Sequence, residues 1–190
     1  MSNDLNSYLP TPTKQRFAAT FHIVRPISFW VQLALGAVSG LALLLAIFSR
    51  NVTAQTTTNS VMGFGVFLGS IGILVLCFRL YWMNRYRRLD KVLQSPNREL
   101  HPRKEDVIQV LQIGLIVSLI GLFLAFLASE VTVTAVLAKA LALPQGVAVY
   151  KPENVIRSLD LFVVLANVNL IGAHFVGGAT SLGLLNWLDR

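Results

Sequence analysis

The sequence has little charge and almost no cysteine. Charged residues make up 13% of its 190 positions, with 9 Asp and Glu against 16 Lys and Arg, about half the share usual in soluble domains. The one cysteine, Cys77, lies inside an apolar run, which excludes an internal disulfide framework and any CxxC redox or metal centre. The 3 histidines, His22, His101 and His174, form no HxxxH, ExxH or His/Cys pair, so metal-ligand spacing is missing as well. No GxSxG, phosphate-binding loop, HExxH or pair of catalytic carboxylates occurs. These absences argue against an enzyme and against a cofactor. Met1 to Thr20 also lacks a basic segment followed by a short apolar core, and the Arg- and Ser-rich character of an organelle transit sequence, so the chain reads as mature.

What is present is apolar length. Hydrophobic residues make up 54% of the chain and the mean hydropathy is +0.62, outside the soluble range. The net charge of +7 comes from basic residues next to apolar runs, which points to membrane orientation and anionic lipid, with no nucleic acid among the partners. Four runs are long enough to cross about 30 Å of hydrocarbon: Ile27 to Phe48, Val61 to Met83, Val107 to Ala128, and Leu159 to Leu185. Arg79 interrupts the second near its end, where its stem can snorkel beside an aromatic belt of Tyr81 and Trp82. Val131 to Leu143 is apolar but too short to cross, and is closed by Pro144-Gln145-Gly146. It is expected to form a separate helix that lies at the interface or dips in and returns, the alternative being a loop helix.

The expected fold is therefore all-α and polytopic: four transmembrane helices plus that short interfacial or re-entrant helix between the third and fourth. Residues 1–26 form an N-terminal cytoplasmic segment, and 27–188 form one membrane domain with a basic cytoplasmic loop at 84–106 and an external segment at 129–158. Eleven basic residues (Lys14, Arg16, Arg25, Arg79, Arg85, Arg87, Arg88, Lys91, Arg98, Arg103, Lys104) fall on one side, against Arg50, Lys139, Lys151 and Arg157 on the other. The positive-inside rule places both termini in the cytoplasm.

Small residues recur four apart, as in Gly36 with Gly40, Gly65 with Gly69, Gly114 with Ser118 and Ala173 with Gly177. Such positions let helix backbones approach in lipid, within one bundle or between oligomer partners. In the fourth run Asp160, Asn167 and His174 follow one another at seven residues and so share nearly one face. That stripe suits either a cation pathway or interhelical hydrogen bonding. Gln32 and Gln112 are its candidate partners, because a buried amide needs hydrogen bonds. Arg85, Arg87, Arg88 and Lys91 form a basic patch for anionic lipid or a partner.

Phe29-Trp30-Val31-Gln32-Leu33, Val136 to Leu141, Leu159 to Val163, Ala166 to Asn169 and His174-Phe175-Val176-Gly177 resemble, in order and spacing, the family of the chloroplast inner-envelope translocon subunit of twenty-one kilodaltons, also called "permease in chloroplasts". The resemblance covers Phe21 to Leu185. Without a transit sequence the chain looks like a cyanobacterial member, in a thylakoid or plasma membrane. The resemblance implies a role in preprotein import or as a permease for iron or another divalent cation, with homo-oligomer or membrane-protein partners. The alternative is a scaffold or assembly factor for a translocon or photosynthetic complexes. No ligand or catalytic residue carries over from the family.

Overall fold

Apolar runs this long leave their backbone polar groups nowhere to bond in lipid except within a helix. The computed structural model describes the backbone of residues 11–52, 60–93, 104–142 and 158–188, and the side chains of 19–49, 60–83, 105–142 and 158–187. It contains α1 (Thr11–Val52), α2 (Ser60–Leu93), α3 (Lys104–Leu141) and α4 (Ser158–Leu188). Each includes a stretch of 24 or more residues long and apolar enough to cross a membrane. α1 packs on α2, α2 on α3, α3 on α4, and α4 back on α1, while α2 also touches α4 across the diagonal. Chain neighbours are thus spatial neighbours, as in an up-and-down four-helix bundle.

The buried positions follow a 3.5-residue period. On α3 they step alternately by four and three from Val107, Leu111 and Gly114 to Thr132 and Ala135, and on α4 from Asp160, Val163 and Asn167 to Ser181 and Leu184. This is the seam of bundles that pack knobs into holes. The outer faces carry large exposed apolar side chains on every helix, among them Phe48, Leu74, Phe123 and Phe175, as a lipid-facing surface requires.

Three apolar layers stack along the interior. Phe21, Met83, Val107, Leu111 and Leu184 close the end at the C-terminus of α4. Leu76, Ala125, Leu170 and Ala173 fill the middle. Ala42, Leu43, Ala46, Met62, Val66, Ala135, Val163 and Ala166 close the other end. Asp160 and Leu184 are 24 residues apart, about 36 Å of helix axis, enough for the hydrocarbon core.

The four spans are present, but the separate short helix is not. Residues 131–141 are the last turns of α3. Thr132 and Ala135 continue its buried seam past the expected end of the span at Ala128, and Glu130 lies on the exposed face and interrupts nothing. Residues 143–157, including Pro144, Gly146 and Arg157, lie outside the described residues. α1 continues past Pro26 without a break, so part of the expected N-terminal segment is helical and continuous with the first span.

Candidate functional site

α4 carries a column of polar side chains at seven-residue intervals, Asp160, Asn167, His174 and, one step beyond the expected stripe, Ser181, all buried. From Asp160 to Ser181 the column rises over 21 residue steps, about 32 Å. It meets the other helices at four levels.

At the first level Lys139 of α3 donates to Asp160 Oδ2 at 2.6 Å, with both side chains nearly buried. At the second, Asn167 Nδ2 donates to Thr132 Oγ1 at 3.2 Å, and Ser39 of α1 donates to the carbonyl of Ala166 at 2.9 Å. A Cβ at Gly69 of α2 would stand 2.6 Å from Asn167 Oδ1, so α2 can come this close to α4 only because residue 69 has no side chain.

At the third level His174 Nε2 lies 3.2 Å from the carbonyl oxygen of Gly72. A carbonyl only accepts, so that bond assigns the proton to Nε2 and leaves a lone pair on Nδ1. The imidazole packs against Gly121 of α3, where any Cβ would collide with the ring.

The fourth level centres on a residue that sequence reasoning misplaced. Arg79 was expected to snorkel, yet it is fully buried. Its Nε donates to Ser118 Oγ at 2.9 Å, and one terminal nitrogen donates to Ser181 Oγ at 2.8 Å and to the Gly177 carbonyl at 3.2 Å. A guanidinium satisfied this way by α3 and α4 gains more inside the bundle than its stem gains by reaching outward. Beside it, Gln32 Nε2 donates to the hydroxyl and carbonyl oxygens of Ser28 at 2.8 and 3.1 Å. Thr180 donates to Ser28 Oγ at 3.0 Å, tying α4 to α1. A Cβ at Gly177 would lie 2.9 Å from both Gln32 Oε1 and Ser118 Oγ.

Three buried acceptors in this seam have no hydrogen-bond donor among the described residues: Gln32 Oε1, Asn167 Oδ1 and His174 Nδ1. Among the described residues no three His, Cys, Asp or Glu side chains gather in one place. The structure therefore brings Asp160, Asn167, His174 and Gln32 into the interior but leaves Gln112 exposed on the outer face of α3, apart from the stripe it was expected to join. Asp160 meets Lys139 of the neighbouring helix, a partner the sequence spacing did not indicate. Arg85, Arg87, Arg88 and Lys91 lie on the last turns of α2, and their side chains are outside the described residues.

Residues 11–189 match the protein family described as "Protein of unknown function (DUF3611)". The chain belongs to this family. It is also similar to "Protein TIC 21, chloroplastic" of Arabidopsis thaliana, 32% identical over 167 residues, which are 84% of this chain and 53% of the relative. It thus spans about half the length of the curated relative it matches. No solved structure matches. The DUF3611 match takes in all four helices and every level of the polar seam, and the likeness to the translocon-subunit family read from the sequence segments stands.

Proposed function

We propose that this DUF3611 chain is a membrane-spanning, non-enzymatic subunit of a protein-transport assembly, working with other membrane proteins and not as a self-contained cation pathway. The observation that carries this reading is the Arg79 clamp. A guanidinium held by Ser118, Gly177 and Ser181 puts fixed positive charge in the seam, and positive charge in a low-dielectric interior repels cations strongly. Apolar layers beyond Arg79 and between the polar levels also favour a packing element over a conduit. The name of the Arabidopsis relative is in keeping with this role. The basic turns at Arg85, Arg87, Arg88 and Lys91 suit anionic headgroups or a partner on the cytoplasmic side, where both termini would also lie in a cyanobacterial thylakoid or plasma membrane. Isolation in mild detergent should recover the chain with other membrane subunits, cross-linkable to a precursor protein in transit. Recovery alone, with no such cross-link, would contradict the assembly role.

A second reading, a permease for iron or another divalent cation, rests on one observation. Gln32 Oε1, Asn167 Oδ1 and His174 Nδ1 are lone-pair groups with no donor among the described residues, and lone pairs of this kind suit a cation. It requires a second conformation in which Arg79 leaves the seam.

A further inference from the structure

α4 meets each of the other three helices at a glycine that a larger residue would obstruct. A Cβ at Gly69 of α2 would stand 2.6 Å from Asn167 Oδ1, one at Gly177 of α4 would stand 2.9 Å from Gln32 Oε1 of α1, and one at Gly121 of α3 would run into the His174 ring. Asn167 and Gln32 are fully buried. Their oxygens are two of the three side-chain atoms in the seam that no N–H or O–H reaches among the described residues. Ser118 Oγ lies equally near the missing Cβ of Gly177 but makes no bond to Gln32. Both orphaned oxygens therefore face a glycine, each across a different helix pair.

Glycine carries a hydrogen on the bond that would otherwise hold Cβ, about 0.4 Å closer to Cα. A Cα hydrogen thus lies at most about 3.0 Å from Asn167 Oδ1 and about 3.3 Å from Gln32 Oε1. A Cα–H between two peptide groups is polarised enough to donate weakly, and such contacts recur where helices pack closely. In hydrocarbon no water competes for the acceptor, and an unmet carboxamide oxygen is costly.

We propose that Gly69 and Gly177 are the donors to these two oxygens, through Cα–H···O bonds to Asn167 Oδ1 and Gln32 Oε1. The Asn167 carboxamide then joins three helices, donating through Nδ2 to Thr132 of α3 and accepting from Gly69 of α2. Gln32 turns its Nε2 to Ser28 on its own helix and its oxygen to α4. Two of the three lone pairs that the permease reading needs are engaged in this way, so a cation would have to part α2 from α4, or α4 from α1, to reach them. This deepens the packing-element reading and rests on it only for its meaning: that reading can fail in metal flux while the glycine donors hold, and the reverse.

The test is proton NMR of the full chain in bicelles with isotope-labelled glycine. A hydrogen drawn to an acceptor moves downfield of its geminal twin. Gly69 and Gly177 should show that separation, whereas Gly40 and Gly183, whose Cβ positions meet nothing within 4 Å, should show little. Asn167→Leu should collapse the separation at Gly69 alone, and Gln32→Met that at Gly177 alone. Where a variant fails to fold, the comparison of the four glycines in the parent chain decides. The proposal is overturned by Gly69 and Gly177 showing no more separation than Gly40 and Gly183, or by a separation that survives loss of its acceptor.

Discussion

Gly121 is where the packing of the seam is most exposed to a one-carbon change. Its missing Cβ is the space filled by the His174 ring, which is also held by the Gly72 carbonyl at 3.2 Å. Gly121→Ala forces the ring or α3 to move. Overpacking of this kind costs about 1–3 kcal/mol, and loss of the imidazole bond adds about 0.6–1.7 kcal/mol. Against this, alanine gains up to about 1 kcal/mol in helix propensity over glycine. The expected net loss is therefore between about 0.6 and 4.7 kcal/mol, read from denaturant unfolding in micelles or bicelles. His174→Ala in the same chain removes the collision, so the double variant should lose clearly less than the sum of the two single changes. A Gly121→Ala protein as stable as the parent, with additive double-variant losses, would refute the ring-on-glycine contact.

Arg79→Lys keeps the charge but cannot hold Ser118, Ser181 and the Gly177 carbonyl in one fork. It should lower unfolding stability by about 1–3 kcal/mol, and an unchanged midpoint would mean that the clamp contributes nothing. Thr132→Ala and Asn167→Ala each remove the same interhelical bond, and each should lose about 0.6–1.7 kcal/mol. Their double variant should lose little more than either one in a cycle measured by unfolding. Single cysteines at Ser95 and Thr57 with Cys77→Ser should label from opposite faces of the membrane, Ser95 from the cytoplasmic one. Labelling of both from one face would break the four-span topology.

The spans were readable because apolar length alone decides them, and the α4 column because seven-residue spacing puts side chains on one face whatever they touch. The phase of the other helices was harder to read. Gln112 looked inward by its polarity, but it is out of step with Gly114 and Ser118, which face the seam. Arg79 looked outward by its charge, yet it stands seven residues after Gly72 and four before Met83, both buried. The 3.5-residue period would have placed both correctly, and would have added Ser181 to the column. The end of α3 is hard to read for a different reason. Val131 to Leu143 is too short to cross by itself, whereas it is the continuation of a helix that runs to Leu141. No period within one helix could reveal that Lys139 meets Asp160, because that pair depends on how α3 and α4 align.

The central claim, that the seam is a closed and clamped packing element, is tested most directly by metal flux. Liposomes containing only the purified protein, loaded with a quenchable metal indicator, should take up ferrous or manganous ions no faster than protein-free liposomes. Asp160→Asn and His174→Ala should change stability but not that rate. Uptake well above the protein-free rate that falls when either residue is replaced would contradict the account, and would make the column of Asp160, Asn167 and His174 a cation path.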